Sequence, residues 1–239
     1  MSNPSDRLVA LLGLSTPPVA LSFAEAAPPG VEVFSGAVPS ACTLWRLAEA
    51  AVIYVPAEKH HNCPVGAMTM GFDLPDALMS QLMELAGSMV GCGYLRPEEP
   101  TRLPSHKGHK NGIVYGPLAK LSGTPDAVIC WLTPRQAMLC REAAGGCQWL
   151  GADPQGVWGR PACAVIPIAL ERSSPALSLG CMGMRVFTGV ADDKTLFVIP
   201  GAQLDEFLGL LEAAVTANAQ MGAFYESQRQ KFTGANRGS

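Results

Sequence analysis

Apolar residues recur at helical spacing in "DRLVALLGL" and stop at Gly13, and the short run "PPVALSF" that follows, bounded by prolines, has the composition of a strand. Ser40 is placed to cap a helix through "SACTLWRLAEAA", with Leu44, Leu47, Ala48 and Ala51 on one face, and "VIYV" reads as a buried strand after it. The next stretch, "EKHHNCPVGAMTMG" at 58–71, reads as a tight loop. Pro75 and Asp76 open a helix through "DALMSQLMELAGSM", ended by the glycines around Cys92. "GYLRPEEPTRLPSHKGHKNGIVYGPL" has no sustained period and is expected to be a long surface connection. "DAVICWL" is a strand by composition, and "PRQAMLCREAAG" a helix with Pro134 in its first turn. "MRVFTGV" and "TLFVIPG" read as two strands around an Asp192-Asp193 turn. A C-terminal helix over about 202–220 carries Leu204, Phe207, Leu208, Leu211 and Val215 on one face, and the tail, about 233–239, is expected to be disordered.

Helices and strands thus alternate, which predicts an α/β (α+β) fold of mixed sheets with flanking helices, one domain over residues 1–239. The chain also echoes itself. "GLSTPPVALSF" resembles "KLSGTPDAVICW", "PSACTLWRLAEA" resembles "RPACAVIPIALE", and "HNCPVGAMTMG" resembles "LGCMGMRVFTG", in the same order. Two pseudo-repeated halves, about 7–93 and 117–190, would then share one core. A pseudo-twofold axis between them would bring Cys42 and Cys63 of one half towards Cys163 and Cys181 of the other.

The net charge of −3 offers no basic field to gather nucleic acid or anionic lipid. The longest apolar runs fall short of the ~20 residues that cross a bilayer, and "MSNPSDRL" lacks the basic and apolar regions of an export signal. These features predict a cytoplasmic protein with no nucleic-acid or membrane partner. A charged fraction of only 15% beside 48% apolar residues suggests a surface covered by a second copy, a homodimer.

Cysteine changes the picture most. Eight cysteines (42, 63, 92, 130, 140, 147, 163, 181) in a chain with no export signal are expected to be reduced thiols. Three or four thiolates converging on one point suit an iron–sulfur cluster or zinc, both soft acceptors; the paired C-x₂-C knuckles usual in structural zinc sites do not occur. Cys42, Cys63, Cys163 and Cys181 are the candidate ligands. Gly66, Gly180 and Gly183 let backbone amides approach the bound sulfurs beside Cys63 and Cys181. The alternative for each cysteine is a buried apolar side chain.

His61 is a candidate ligand or proton donor, its bland counterpart being a loop histidine bonded to backbone carbonyls; His60 is expected to be exposed. Arg185 would set a fixed cation near the thiolates or grip a carboxylate substrate, or else form a surface ion pair. Cys92 is a reserve ligand in a helix-ending turn, Cys130 and Cys140 read as packing residues, and Cys147 falls in the loop after a helix. Lys107 and Lys110 belong to a solvated loop. Phosphate-cradling loops and the G-x-S-x-G elbow are missing from the sequence.

The blocks "PPVALSF", "ACTLWRLAEA", "HHNCPVGAMTMG", "PDAVICWLTPRQAM", "GRPACAVIPIA", "LSLGCMGMR" and "FVIPG" together resemble the uncharacterised prokaryotic family known as domain of unknown function 169, over about residues 8–215. The family's pattern maps onto Cys42, onto His61 and Cys63, and onto Gly180, Cys181, Gly183 and Arg185. The resemblance implies no activity, so function has to come from the chemistry. The first expectation is a [4Fe–4S]-type cluster serving redox or cluster-assisted chemistry on a small molecule, with a substrate or an electron-transfer protein as partner. Three ligands would leave one iron open to substrate and four would close the cluster. A metal-free thiol enzyme using Cys63 with His61, and a haem or small-molecule-binding module, are the other readings.

Overall fold

The computed structural model describes residues 3–108, 110–145 and 157–235. Cys147 therefore lies outside the described residues. The chain opens with α1 (Pro4–Leu12), whose Asn3 Oδ1 accepts the Ser5 N–H at 2.9 Å, followed by β1 (Val19–Ala24) and the short β2 (Glu32–Val33). Next come α2 (Ala41–Leu47), β3 (Ile53–Pro56), a 3₁₀ turn over Ala57–His60, α3 (Pro64–Thr69), α4 (Asp76–Gly91) and β4 (Gly112–Pro117). The second half holds β5 (Ala127–Leu132), α5 (Pro134–Gly145), β6 (Val157–Trp158), a 3₁₀ turn over Ala162–Ala164 leading into α6 (Val165–Arg172), β7 (Ala176–Ser178), α7 (Met182–Thr188) and β8 (Thr195–Pro200). The long α8 (Leu204–Ala235) closes the described chain.

Among the described residues the strands form one mixed sheet in the order β2-β3-β4-β1-β5-β8-β7-β6. Both faces are covered, which explains why β5 reads as an unbroken apolar run: Ala127, Ile129 and Trp131 face one layer, Val128, Cys130 and Leu132 the other. The first layer also holds Trp45 of α2, Met70 just after α3, Ile166 of α6 and Met184 of α7. Leu8 of α1, Cys140 of α5, and Phe207, Leu208 and Leu211 of α8 belong to the second. Cys42, Cys163 and Cys181 belong to the first side, Cys63 begins the α3 segment whose Ala67 and Met70 do too, and Cys130 and Cys140 pack on the second.

The sheet reads the same from either edge. Outward from its centre the first half runs β1, β4, β3, β2 and the second β5, β8, β7, β6. In each half the two outer strands are parallel and the next pair antiparallel, and β1 meets β5 antiparallel at the middle. The inner pairs, β1 with β4 and β5 with β8, are antiparallel too. A duplicated unit would produce this pairing, with β1 opposite β5, α2 opposite the 162–164 turn and α6, and α3 opposite α7.

Several elements differ from those expected. "MRVFTGV" is not a strand: its residues lie in and just after α7, because Cys181 caps the start and Gly189, at φ 64°, ends it, and these local signals outweigh the β-prone Val, Phe and Thr. The supposed surface connection after Cys92 contains β4, buried along its whole length. A two-faced buried strand has no alternation, and "IVY" between glycines hid it. Residues 58–71 hold a 3₁₀ turn and α3 rather than a loop. Ser40 precedes α2, but its hydroxyl lies 3.1 Å from that of Thr43 and caps no backbone group; α2 ends at Leu47, which is exposed, so Ala51 lies beyond it. α8 runs to Ala235, past the expected end near 220 and into the tail region, sustained by good helix formers and the Glu226–Arg229 pair; residues 236–239 are outside the described chain.

Candidate functional site

Each of the four cysteines stands at the start of a helical segment on one side of the sheet. Cys42 is the second residue of α2, and Cys63 immediately precedes α3. Cys163 is the middle residue of the 162–164 turn, and Cys181 immediately precedes α7. These segments pack on one another: α2 touches α7 and α3, and α3 touches the 162–164 turn. Cys42 and Cys163 are buried, whereas Cys63 and Cys181 are partly open to solvent.

Electrostatics tie the four sulfurs together. Burial raises the Cys42 thiol well above its ordinary pKa, and charge on Cys163, Cys181 and Cys63, in falling order, raises it further. Burial pushes Cys163 up to about 12, with added contributions from Cys63 and Cys181 and an opposing one from the Thr69 hydroxyl. Cys181 Sγ accepts the Met184 N–H at 3.4 Å. Among the described residues no three His, Cys, Asp or Glu side chains are gathered as one metal ion would require. A multi-iron cluster asks less of the spacing, since each sulfur binds a different iron and the ligands stand farther apart. The donors, four thiols from unlinked segments, suit such a cluster by chemical softness.

The other predicted residues fall in definite places. Gly66 sits where α3 meets α2; a Cβ there would lie 2.8 Å from Ala41 Cβ and 3.0 Å from Cys63 Sγ, so only glycine allows this approach. Gly180, at φ 87°, donates its N–H to Ser178 Oγ at 3.0 Å, while a Cβ on Gly183 would meet only the Phe187 ring at ordinary contact distance. His61 Nε2 lies 3.1 Å from the Asp73 carbonyl, in the backbone-bonding role. Arg185 donates to the carbonyls of Leu179 at 2.8 Å, Ala191 at 3.2 Å and Lys194 at 3.3 Å, and lies 3.6 Å from the exposed Asp192. Its guanidinium thus staples the loop between α7 and β8. Cys92 is at the exposed end of α4. Lys107 and Lys110 pair with Glu171 and Glu25 at the surface. A shallow cleft of about 210 Å³ beside Ser173, Gln203 and Phe207 has none of the four cysteines in its lining.

The core layer that holds Cys42 and Cys163 also holds Tyr115, one end of a buried polar chain that the sequence pattern did not reveal. His60, expected to be exposed, is 1% accessible: its Nδ1 is 3.0 Å from the Pro56 carbonyl and its Nε2 is 3.1 Å from the Tyr115 hydroxyl. The carbonyl can only accept, so Nδ1 carries the proton and Nε2 accepts from Tyr115. Burial raises the Tyr115 pKa, and charge on Cys42 and Cys163 raises it further. The buried Trp45 indole N–H also lies near Tyr115 but outside hydrogen-bond geometry. Tyr115 was hidden with β4. The 3₁₀ turn that turns His60 inward leaves no periodic signal.

Burial holds the His60 pKa at about 4, against 6.5 unperturbed. As pH falls below 6.5 the unfolded chain takes up this proton first, so His60 leaves stability intact above about pH 6.5 and removes it progressively down to pH 4. The loss totals about 3 kcal/mol. Urea unfolding across that window should show the decline, and His60→Gln, although less stable, should lose that part of the slope. An unchanged slope in the variant would contradict the neutral buried imidazole.

Sequence comparison gives a family without an assigned activity. MJ0308, an uncharacterized protein of Methanocaldococcus jannaschii, is 26% identical over 222 residues, spanning 86% of this chain and 91% of that protein. No solved structure matches significantly. The sequence pattern of the DUF169 family, described as uncharacterised ArCR, matches residues 7–209, and the chain belongs to that family.

Proposed function

We propose that this protein holds an iron–sulfur cluster of [4Fe–4S] type between its two halves, with Cys42 and Cys63 supplied by one and Cys163 and Cys181 by the other. The observation that carries the reading is the placement of these four cysteines at the starts of mutually packed segments on one side of the sheet. When bound, the cluster accepts and donates single electrons. The chain supplies the soft donors, the Met184 N–H directed at Cys181 Sγ, and the buried core layer, with Trp45, Met70 and Met184, to which Cys42 and Cys163 belong. Raised pKa values at Cys42 and Cys163 mean that assembly releases protons, so loading should strengthen as pH rises.

With four cysteine ligands no iron is left open, which favours electron transfer with a redox partner over direct substrate binding. Thiols kept reduced for this purpose fit a cytoplasmic setting. In this reading Arg185 serves the fold, and no ligand or base is required of His61. Anaerobic reconstitution with ferrous iron and sulfide tests the reading. The expected product has a broad visible absorption that bleaches on chemical reduction. Protein that stays colourless while remaining folded would overturn it.

A further inference from the structure

From Asp73 to Gly108, a stretch that includes all of α4, no residue is buried, whereas Phe72 before it and β4 after it are. A segment that long without a buried side chain gains little from the hydrophobic effect, so its position depends on a few contacts at its margins. In the second half the corresponding connection, from α7 to β8, is only residues 189–194. A half of this pattern therefore closes its strands without such a segment. α4 rests on α3. Beyond α4 the chain is fastened to the first half by Ser105 Oγ, which donates to Met68 O at 2.6 Å, and by the His106 N–H, which donates to Thr69 O at 2.9 Å. The His106 ring also stacks on Phe23 at 3.9 Å. To the second half it is fastened at Arg160, whose guanidinium lies 4.5 Å from the Tyr94 ring centre and 3.7 Å from Glu99, and at Glu171, 3.6 Å from Lys107.

These anchor points bracket the junction of the halves. Met68 and Thr69 belong to α3, which follows Cys63, while Arg160 precedes and Glu171 follows the 162–164 turn that holds Cys163. α3 packs on that turn. The segment thus ties together, from the solvent side, two elements that meet at the Cys163 turn. We propose that residues 73–108 are a clasp that opens as a unit and so admits solutes to Cys163, which is otherwise buried. Opening takes no buried side chain of the segment out of the core and breaks exposed pairs on the second half: Arg160 and Glu99 are each 39% accessible, and ion pairs that open to solvent contribute little. It therefore costs much less than unfolding the sheet. A buried thiol takes up metal only when the packing around it parts, so loading of Cys163 passes through the open form. That consequence rests on the cluster reading; the movement itself does not.

The test is labelling of the metal-free full chain with a small aromatic disulfide under native conditions, followed cysteine by cysteine by mass spectrometry, with amide hydrogen exchange read alongside. Cys163 should label well ahead of the equally buried Cys130 and Cys140, and the amides of α4 should exchange well ahead of those of β5. Low urea should barely change the Cys163 rate, because little new surface is exposed, but should steeply raise the rates of Cys130 and Cys140, which wait for global unfolding. Tyr94→Ala combined with Glu99→Gln removes the hold on Arg160 and should speed Cys163 labelling about tenfold. Arg7→Gln, which breaks the Arg7–Glu212 pair between α1 and α8, should leave it unchanged, since that pair persists when the clasp opens. Cys163 labelling no faster than Cys130, an equally steep urea dependence, no effect of the Tyr94 and Glu99 changes, or α4 amides as protected as those of β5 would each overturn the inference. The expected labelling in a chain that never takes up iron would uphold the clasp and refute the cluster, and iron uptake with Cys163 labelling no faster than Cys130 would do the reverse.

Discussion

Serine in place of Cys63 or Cys181 is expected to abolish bound iron and acid-labile sulfide, while serine in place of Cys130 or Cys140 leaves both unchanged. The contrast follows from the sheet. Cys63 and Cys181 begin α3 and α7 on the side where the four sulfurs influence one another, and both are open enough that serine disturbs packing little. Cys130 and Cys140 belong to the opposite layer, on the far face of the sheet from the other four sulfurs; burial alone pushes Cys130 up to about 12, and burial with Cys130 nearby raises Cys140. Serine is a poor soft donor, and losing one of four ligands leaves a cluster labile. Cys42→Ser and Cys163→Ser should lose the iron as well, with an added stability cost from a hydroxyl in a buried site. Iron and sulfide assays on all six variants decide the matter. Retained iron in both Cys63→Ser and Cys181→Ser would assign the ligands elsewhere.

The largest effect on stability is expected from Gly201→Ala, a loss of about 3–5 kcal/mol. A Cβ at this position would fall 1.7 Å from the Pro125 carbonyl oxygen and 2.7 Å from its carbon, both backbone atoms that cannot rotate away. Neither strand end can retreat easily. Gly201 donates its N–H to Asp126 O at 2.8 Å, Asp126 donates its own to Leu21 O at 2.9 Å, and the Asp126 carboxylate accepts the Phe23 N–H at 2.7 Å. These bonds join β1, β5 and β8 at the centre of the sheet, so relief of the clash would break the seam between the halves. Gly209→Ala on α8 is the control: an added Cβ there meets nothing within 4 Å, and alanine should stabilise the helix by about 0.5–1 kcal/mol. Urea unfolding of the two variants measures both. A loss below about 1 kcal/mol at Gly201 would mean the seam yields.

Much of the architecture was legible because it is written in local signals. Gly13 ends α1, Pro134 opens α5, and the apolar runs of β1, β3, β5 and β8 are long enough to stand out. The repeats "LSTPPVA" and "LSGTPDA" pointed at the two strands that meet at the sheet centre. What failed to show was set by tertiary contact. β4 is buried on both faces and its glycines look like loop residues; a Cβ on Gly112 would lie 2.5 Å from Val55 O, so glycine is there for a close strand approach. α7 has strand-like composition and is decided by its caps. At the site, the four cysteines could be singled out from glycine context and the echo. The buried Tyr115–His60 pair could not, because neither residue repeats or belongs to a periodic face. The role of Arg185 was equally hidden: its bonds to the Leu179 carbonyl before α7 and to the Ala191 and Lys194 carbonyls after it leave no trace in the sequence around it.

The most direct measurement is the iron and acid-labile sulfide content of the full chain purified without oxygen, expressed per protein molecule. The account predicts brown protein with about four of each. A folded, colourless preparation with neither, even after anaerobic reconstitution, would contradict it.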